Sequence, residues 1–150
     1  MVKLWSVILL AALLLSACAQ SLTSAPAAPV TPPAPPQQDL ATLTGRLVDK
    51  ETGAPRADTI VRLAEVYRGE DGKGGNFILN MYSSPGALTD ANGYFIFENI
   101  PAVEYVASVG TGDNVFEYDV IEGLDGNPQA IMALANQVID IGVIKTDYKP

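Results

Sequence analysis

Beyond residue 42 the chain predicts an all-β fold, an antiparallel sandwich, and three observations predict it. Short runs rich in Val, Ile, Leu, Phe and Tyr recur every ten residues or so, Gly, Pro, Asn and Asp stand between them, and no stretch sustains a helical period. Residues 42–150 also amount to about 110 residues, near the commonest domain size and enough for one core.

Taken in order, Leu43–Asp49 reads as the first strand, closed by a turn at Thr52-Gly53-Ala54-Pro55. Thr59–Tyr67 is the second, with Val61 and Leu63 on one face and Arg62 on the other, as a period of two demands. Arg68–Asn76 is a polar, Gly-rich loop, and Phe77–Tyr82 a third strand. Thr89-Asp90-Ala91-Asn92-Gly93 is a strong turn signal, because Asp and Asn bond nearby backbone and Gly93 accepts a positive φ. It opens Tyr94-Phe95-Ile96-Phe97, where Phe95 and Phe97 share the core face with Ile100 and Tyr105 as neighbours. Tyr94 and Ile96 alternate with them and point the other way. Tyr105–Val109, Val115–Ile121, Ala130–Leu134 and Val138–Ile144 complete the series, although Pro128–Asn136 also fits one or two turns of helix.

These residues carry a resemblance. Thr44-Gly45-Arg46-Leu47-Val48-Asp49, Thr52-Gly53-Ala54-Pro55 and Val61 look like the opening of a carboxypeptidase regulatory-like domain. Thr89 to Phe97, Ile100-Pro101 and Tyr105 resemble its middle, and Asp140-Ile141-Gly142-Val143-Ile144 is similar to its last strand. The resemblance spans Leu43 to Ile144 and implies a transthyretin-like, seven-stranded Greek-key sandwich. The sequence departs from that pattern twice. Val66–Leu88 is inserted between strands the family joins more directly, and Ala102-Val103-Glu104 lacks the usual Gly before Tyr105.

The N-terminal part reads differently. Lys3 precedes an uncharged apolar run, Leu4–Leu15, and Ser16-Ala17 then supply the small residues of a cleavage site. Even extended to Ala19, the run is shorter than the 18 or more residues of a spanning helix, which favours a signal peptide over a retained anchor. Leu15-Ser16-Ala17-Cys18 resembles the lipobox of bacterial lipoproteins. The resemblance implies cleavage before Cys18, a diacylglycerol on its thiol and an acylated new amino terminus; an ordinary secretory signal is the alternative. It also implies attachment to the membrane on the extracytoplasmic face of the envelope. Ala19 stands where Asp would retain the protein at an inner membrane, so the outer membrane is the expected address in a source with two.

Six prolines between Ala19 and Ala41 (Pro26, Pro29, Pro32, Pro33, Pro35 and Pro36) lie among Ala, Ser, Thr and Gln. Such a segment lacks the large apolar groups needed to offset ordering entropy and favours extended polyproline II. It can act as a semi-rigid stalk of up to roughly 70 Å. Pro-x-x-Pro spacing at Pro29/Pro32, Pro32/Pro35 and Pro33/Pro36 also fits a docking motif. The expected organisation is therefore a signal peptide (1–17), a lipidated Cys and linker (18–41) and a sandwich (42–150).

Composition restricts the chemistry. With no His, imidazole bases, Ser-His-Asp triads and His-ligated zinc are excluded. One Cys excludes an intrachain disulfide. A formal charge of −8 disfavours nucleic acid, and no cofactor is implied. Tyr67-Arg68-Gly69 superficially matches the Tyr-Arg-Gly-Ser ending of hydroxyisourate hydrolases, but it is internal, followed by Glu70, in a chain without His.

Acidic residues cluster at Glu70/Asp71, Asp113, Glu117/Asp119, Glu122/Asp125 and Asp140. Paired carboxylates serve glycosidases or bind Ca²⁺, yet no D-x-D-x-D-G loop is present, and Glu122, Asp125 and Asn127 form the first candidate metal loop. The outward pair Tyr94 and Ile96 is the candidate partner face, suited to a sugar ring or a protein; cover from the stalk, the insertion or another strand is the favoured alternative. The expected function is a non-enzymatic, lipid-anchored envelope protein displaying this module to an envelope protein or surface glycan. Rival readings are a carbohydrate- or calcium-binding module and a carboxylate hydrolase.

Overall fold

The computed structural model describes residues 32–72, 74–80, 82–110 and 118–149, within a compact unit running from Pro32 to Pro150. Cys18 and the leader, Asp113 and Glu117 lie outside the described residues. The strands are β1 (Leu40–Asp49), β2 (Ile60–Tyr67), β3 (Asn76–Ile78), β4 (Gly86–Leu88), β5 (Tyr94–Pro101), β6 (Glu104–Gly110), β7 (Tyr118–Val120), β8 (Ala130–Met132) and β9 (Val138–Thr146). Among the described residues there is no helix. The fold is all-β.

One sheet has the order β5-β1-β9; the other runs β3-β2-β6-β7, with β4 also on β2 and β8 also on β6. β4 pairs with Ile60–Arg62 and β3 with Glu65–Tyr67, so they share one edge of β2. β7 and β8 likewise share one edge of β6, at Ser108–Gly110 and Glu104–Val106. Among the described residues nine strands therefore replace the seven expected, because two edge positions of the larger sheet are each filled by two three-residue strands. A second difference is β9, which runs parallel to β1, from Thr42↔Val138 to Asp49↔Thr146. All other strand pairs are antiparallel, as expected.

Alternation sets the core. Leu43 and Leu47 of β1, Val61 and Leu63 of β2, Phe95 and Phe97 of β5, and Tyr105, Ala107 and Val109 of β6 are all buried. Ile100 joins them because the register shifts opposite Ala41–Leu43 and Asn99, with φ of 55°, resets the alternation of β5. Phe95 and Phe97 meet edge to face, with ring centroids 5.7 Å apart. Gly45 makes room for the first: a Cβ there would come within 2.5 Å of the Phe95 ring. The Tyr105 hydroxyl donates to the Pro101 carbonyl at 3.0 Å, and burial, with Glu65 nearby, pushes its phenol up to about 12.

Local chemistry explains where elements stop. The third strand ends at Ile78 rather than Tyr82, because Asn80 starts a turn: its Oδ1 accepts from the Tyr82 N–H and its carbonyl from the Ser84 N–H. Pro128–Asn136 is no helix, since Gln129 N–H donates to Ile121 O and Ala133 N–H to Val103 O. The missing Gly before Tyr105 is tolerated because Val103 N–H closes a tight turn on Pro101 O, an i to i+2 bond. At the N-terminal side, β1 starts at Leu40, with Gln37 N–H held by Asn99 Oδ1 and Asp39 N–H by Asn136 Oδ1.

Candidate functional site

The candidate site is the outer face of the β5-β1-β9 sheet. Inward Phe95 and Phe97 force Tyr94 and Ile96 outward, where they are 43% and 39% exposed. Both sequence-expected face residues are therefore accessible. Pairing adds neighbours that the sequence did not bring together. Tyr94 lies opposite Arg46 and Arg46 beside Val143, forming one row across the sheet; Ile96, Thr44 and Asp140 form the next.

Arg46 organises the first row. Its guanidinium lies over the Tyr94 ring at 5.3 Å from the centroid, and its Nε–H donates to the Asn92 carbonyl at 2.9 Å. The cation–π contact fixes the ring and places a positive charge in an otherwise acidic protein. Val143 and Val138 extend the apolar surface along β9. The outer face thus has apolar side chains on both flanking strands and polar Thr44 and Arg46 between them. Such a surface suits contact with a flat partner, whether a protein strand face or a sugar ring.

Arg46 was legible from the period of β1, since it alternates with buried Leu47. Val138 and Val143 were not legible together. Gly142, with φ of 79°, inserts a bulge that shifts the alternation between Asp140 and Val143.

Asp49, Glu104, Asp125 and Asp140 are acidic residues that hold structural partners. Asp49 accepts from Thr52 N–H, Thr52 Oγ1 and Glu51 N–H, and its other oxygen takes Arg56 Nη2 at 2.5 Å. The Thr52 bonds foremost hold the Asp49 carboxyl at about 2. Arg68 grips Glu104 with two N–H bonds and holds the Gly74 carbonyl with a third, so Tyr67-Arg68-Gly69 fastens the 66–88 insertion to β6. That pairing lowers the Glu104 carboxyl.

In the candidate metal loop, both Asp125 oxygens accept from Asn127, one from its backbone N–H and one from its side-chain amide, which lowers the Asp125 carboxyl. These two residues meet each other rather than converging with Glu122 on a shared point. Among the described residues, no three Asp, Glu, His or Cys side chains group closely enough for a metal. A groove of about 680 Å³ runs between β9 and the segment from β7 to this loop, with Tyr118, Glu122, Leu124, Val143 and Lys145 on its walls.

Neither a protein-family model nor a curated protein matches the sequence. Among solved structures, a candidate carbohydrate binding protein from Pseudomonas aeruginosa is similar at 17% identity and TM-score 0.44, over 75% of this chain and 92% of that one. The major pilin SpaD from Corynebacterium diphtheriae is similar at 13% identity and TM-score 0.41, over 71% of this chain. A 9R-lipoxygenase from Cyanothece is similar at 18% identity and TM-score 0.38, over 80%. The chain spans only 29% of that pilin and 19% of that lipoxygenase. At such scores none of the three transfers a function.

Proposed function

We propose that this chain is a lipid-anchored, non-enzymatic envelope protein. Its sandwich, read as a carboxypeptidase regulatory-like module, is held on a Pro/Ala stalk and offers the outer face of the three-stranded sheet to an envelope protein or surface glycan. The observation that carries the anchor is the position of the only cysteine. Cys18 follows an uncharged apolar run in Leu15-Ser16-Ala17-Cys18, and a proline-rich spacer comes next. One acyl chain holds a protein at a bilayer only marginally; a diacylglycerol with an acylated amine holds it stably. The reading as a binding module rests on the exposed Tyr94, Arg46 and Ile96 face, and on carboxylates engaged in ion pairs and turns.

Mass spectrometry of the mature N-terminal peptide tests the anchor. Cys18 is expected as the first residue, carrying a diacylglycerol, and Cys18→Ser is expected to abolish that mass and the membrane association of the processed form. An unmodified cysteine in a protein released to the medium would sink the anchor. In-cell crosslinking with Tyr94→Ser/Ile96→Ser tests the face: partner capture and glycan-array binding are expected to fall, with stability changed by less than about 1 kcal/mol.

A further inference from the structure

We infer that two copies of this chain pair through their β9 strands about a twofold axis, joining the two three-stranded sheets into one of six. β9 is the terminal strand of its sheet, and among the described residues nothing pairs with its outer edge. Thr42 N–H donates to Gln137 O and Lys50 N–H to Thr146 O, which fixes the phase of the parallel ladder. In that phase Ile139, Ile141, Ile144 and Thr146 turn their backbone groups to β1. Val138, Asp140, Val143 and Lys145 turn theirs to the unpaired edge. The groove beside that edge leaves it open, and Val143 is 58% exposed.

A bulge ordinarily spoils an edge for pairing. Here Gly142 is the extra residue, and any regular strand laid on this edge must oppose two residues of β9 with one of its own. A second β9 opposes those two residues with the same two. Setting Gly142 against Val143 of the other copy keeps every other pair on a matching face. Asp140 then meets Lys145, Ile141 meets Ile144, and Ile139 meets Thr146, each twice by symmetry.

The faces agree as well. Asp140 and Lys145 are on the outer face, whereas the isoleucines and Thr146 are on the inner one. Lys145 has no ion pair among the described residues, so the second copy supplies its partner. Opposite charges on both ends and apolar pairs at the centre make the edge complementary to itself. The pairing is independent of the anchor, and it sets two Tyr94 faces side by side in one surface.

Sedimentation equilibrium of the full-length chain in density-matched detergent is expected to give a dimer. Lys145→Asp, which places carboxylates opposite one another twice, is expected to weaken association about tenfold. The exchange Asp140→Lys/Lys145→Asp is expected to restore it. A monomer at every concentration up to roughly 0.1 mM, or a dimer indifferent to Lys145→Asp, overturns the inference. So does a folded exchange variant that fails to recover.

Because Asp140 Oδ1 also accepts from Gly142 N–H, the exchange is judged only at an unchanged melting temperature. The decision otherwise falls to crosslinking in membranes, with the parent chain controlling for Cys18. Val143→Cys lies beside the axis and is expected to form an interchain disulfide. Lys145→Cys, five residues out of step with its counterpart and so about 17 Å from it, is not. Equal crosslinking at both positions, or at neither, overturns the pairing.

Discussion

Two turns in this molecule carry nearly the same sequence signal and have different structural roles. Asp90-Ala91-Asn92-Gly93 and Asp125-Gly126-Asn127 are both Asp/Asn/Gly turns on exposed stretches of chain. In the first, Asp90 Oδ1 accepts from Asn92 N–H and Tyr94 N–H, each at 2.8 Å, and the Gly93 carbonyl accepts from Leu47 N–H of β1. Gly93 is buried against that strand with φ of 81°. Its Asn92 carbonyl also holds Arg46, so the turn positions the candidate face. In the second, Asp125 bonds among the described residues only within its own turn, and a Cβ on Gly126 would meet nothing within 4 Å. A turn's sequence fixes its local shape; what it is fastened to decides its worth to the fold.

The sharpest way to break that contrast is a methyl group at each glycine. In Gly93→Ala the new Cβ would meet the Leu47 carbonyl oxygen at 2.3 Å, in a backbone conformation that L side chains rarely adopt. Left-handed strain and overpacking together are expected to cost about 3–5 kcal/mol, seen as a melting temperature lower by more than about 10 °C. Gly126→Ala has the strain alone, with φ of 74° and open space, and is expected to cost about 1 kcal/mol. Equal losses would mean that packing against β1 contributes nothing.

Next in size is Asp90→Ala, which removes the acceptor for two backbone N–H groups and is expected to cost about 1–2 kcal/mol. Its effect should extend to the face: loosening Asn92 frees Arg46, and the Tyr94 ring then loses its fixed orientation. Near-ultraviolet circular dichroism should report that loss before global unfolding.

The β1 end of the first turn also gives an acid signature. Asp49, which caps the Thr52 turn and pairs with Arg56, is lowered from 3.8 to about 2. A depressed carboxyl stabilises the fold fully above the unfolded value and loses that contribution as pH falls. Stability supplied by Asp49 is therefore complete above pH 3.8 and disappears on going down through pH 2. Asp49→Asn is expected to melt lower than the parent at neutral pH and to show a flatter decline across that window. An identical acid profile would detach Asp49 from the structure around Gly93.

Legibility in the sequence followed the same division. The inner and outer faces of β5 were readable because Phe95 and Phe97 alternate strictly with Tyr94 and Ile96, and the Asp90–Gly93 turn was readable from composition. Partner choice was not readable. Nothing in Val138–Thr146 states that it lies parallel to β1, since that pairing depends on side chains far away in sequence. The β4 strand, three residues with Gly86 at its start, is too short to carry a period. Gly142 looked like an ordinary strand residue within Ile141-Gly142-Val143, yet its positive φ resets the alternation and decides which valines join the face. Half of the candidate site, Tyr94, Ile96 and Arg46, lay in local pattern; the β9 half required the bulge.

The smallest expected effect belongs to the second turn's carboxylate. Asp125→Ala removes two bonds to Asn127 in an exposed loop, so solvent replaces both, and stability is expected to change by less than about 0.5 kcal/mol. The loop's calcium question is decided by the same residue. Its two carboxylate oxygens already accept from Asn127, and a cation would have to displace those bonds and draw in Glu122. Calorimetric titration of the parent chain with Ca²⁺ is expected to give no heat beyond dilution. Heat that vanishes in Asp125→Ala would show that the loop reorganises around an ion, and the second turn would then have a role that its isolation from the core conceals.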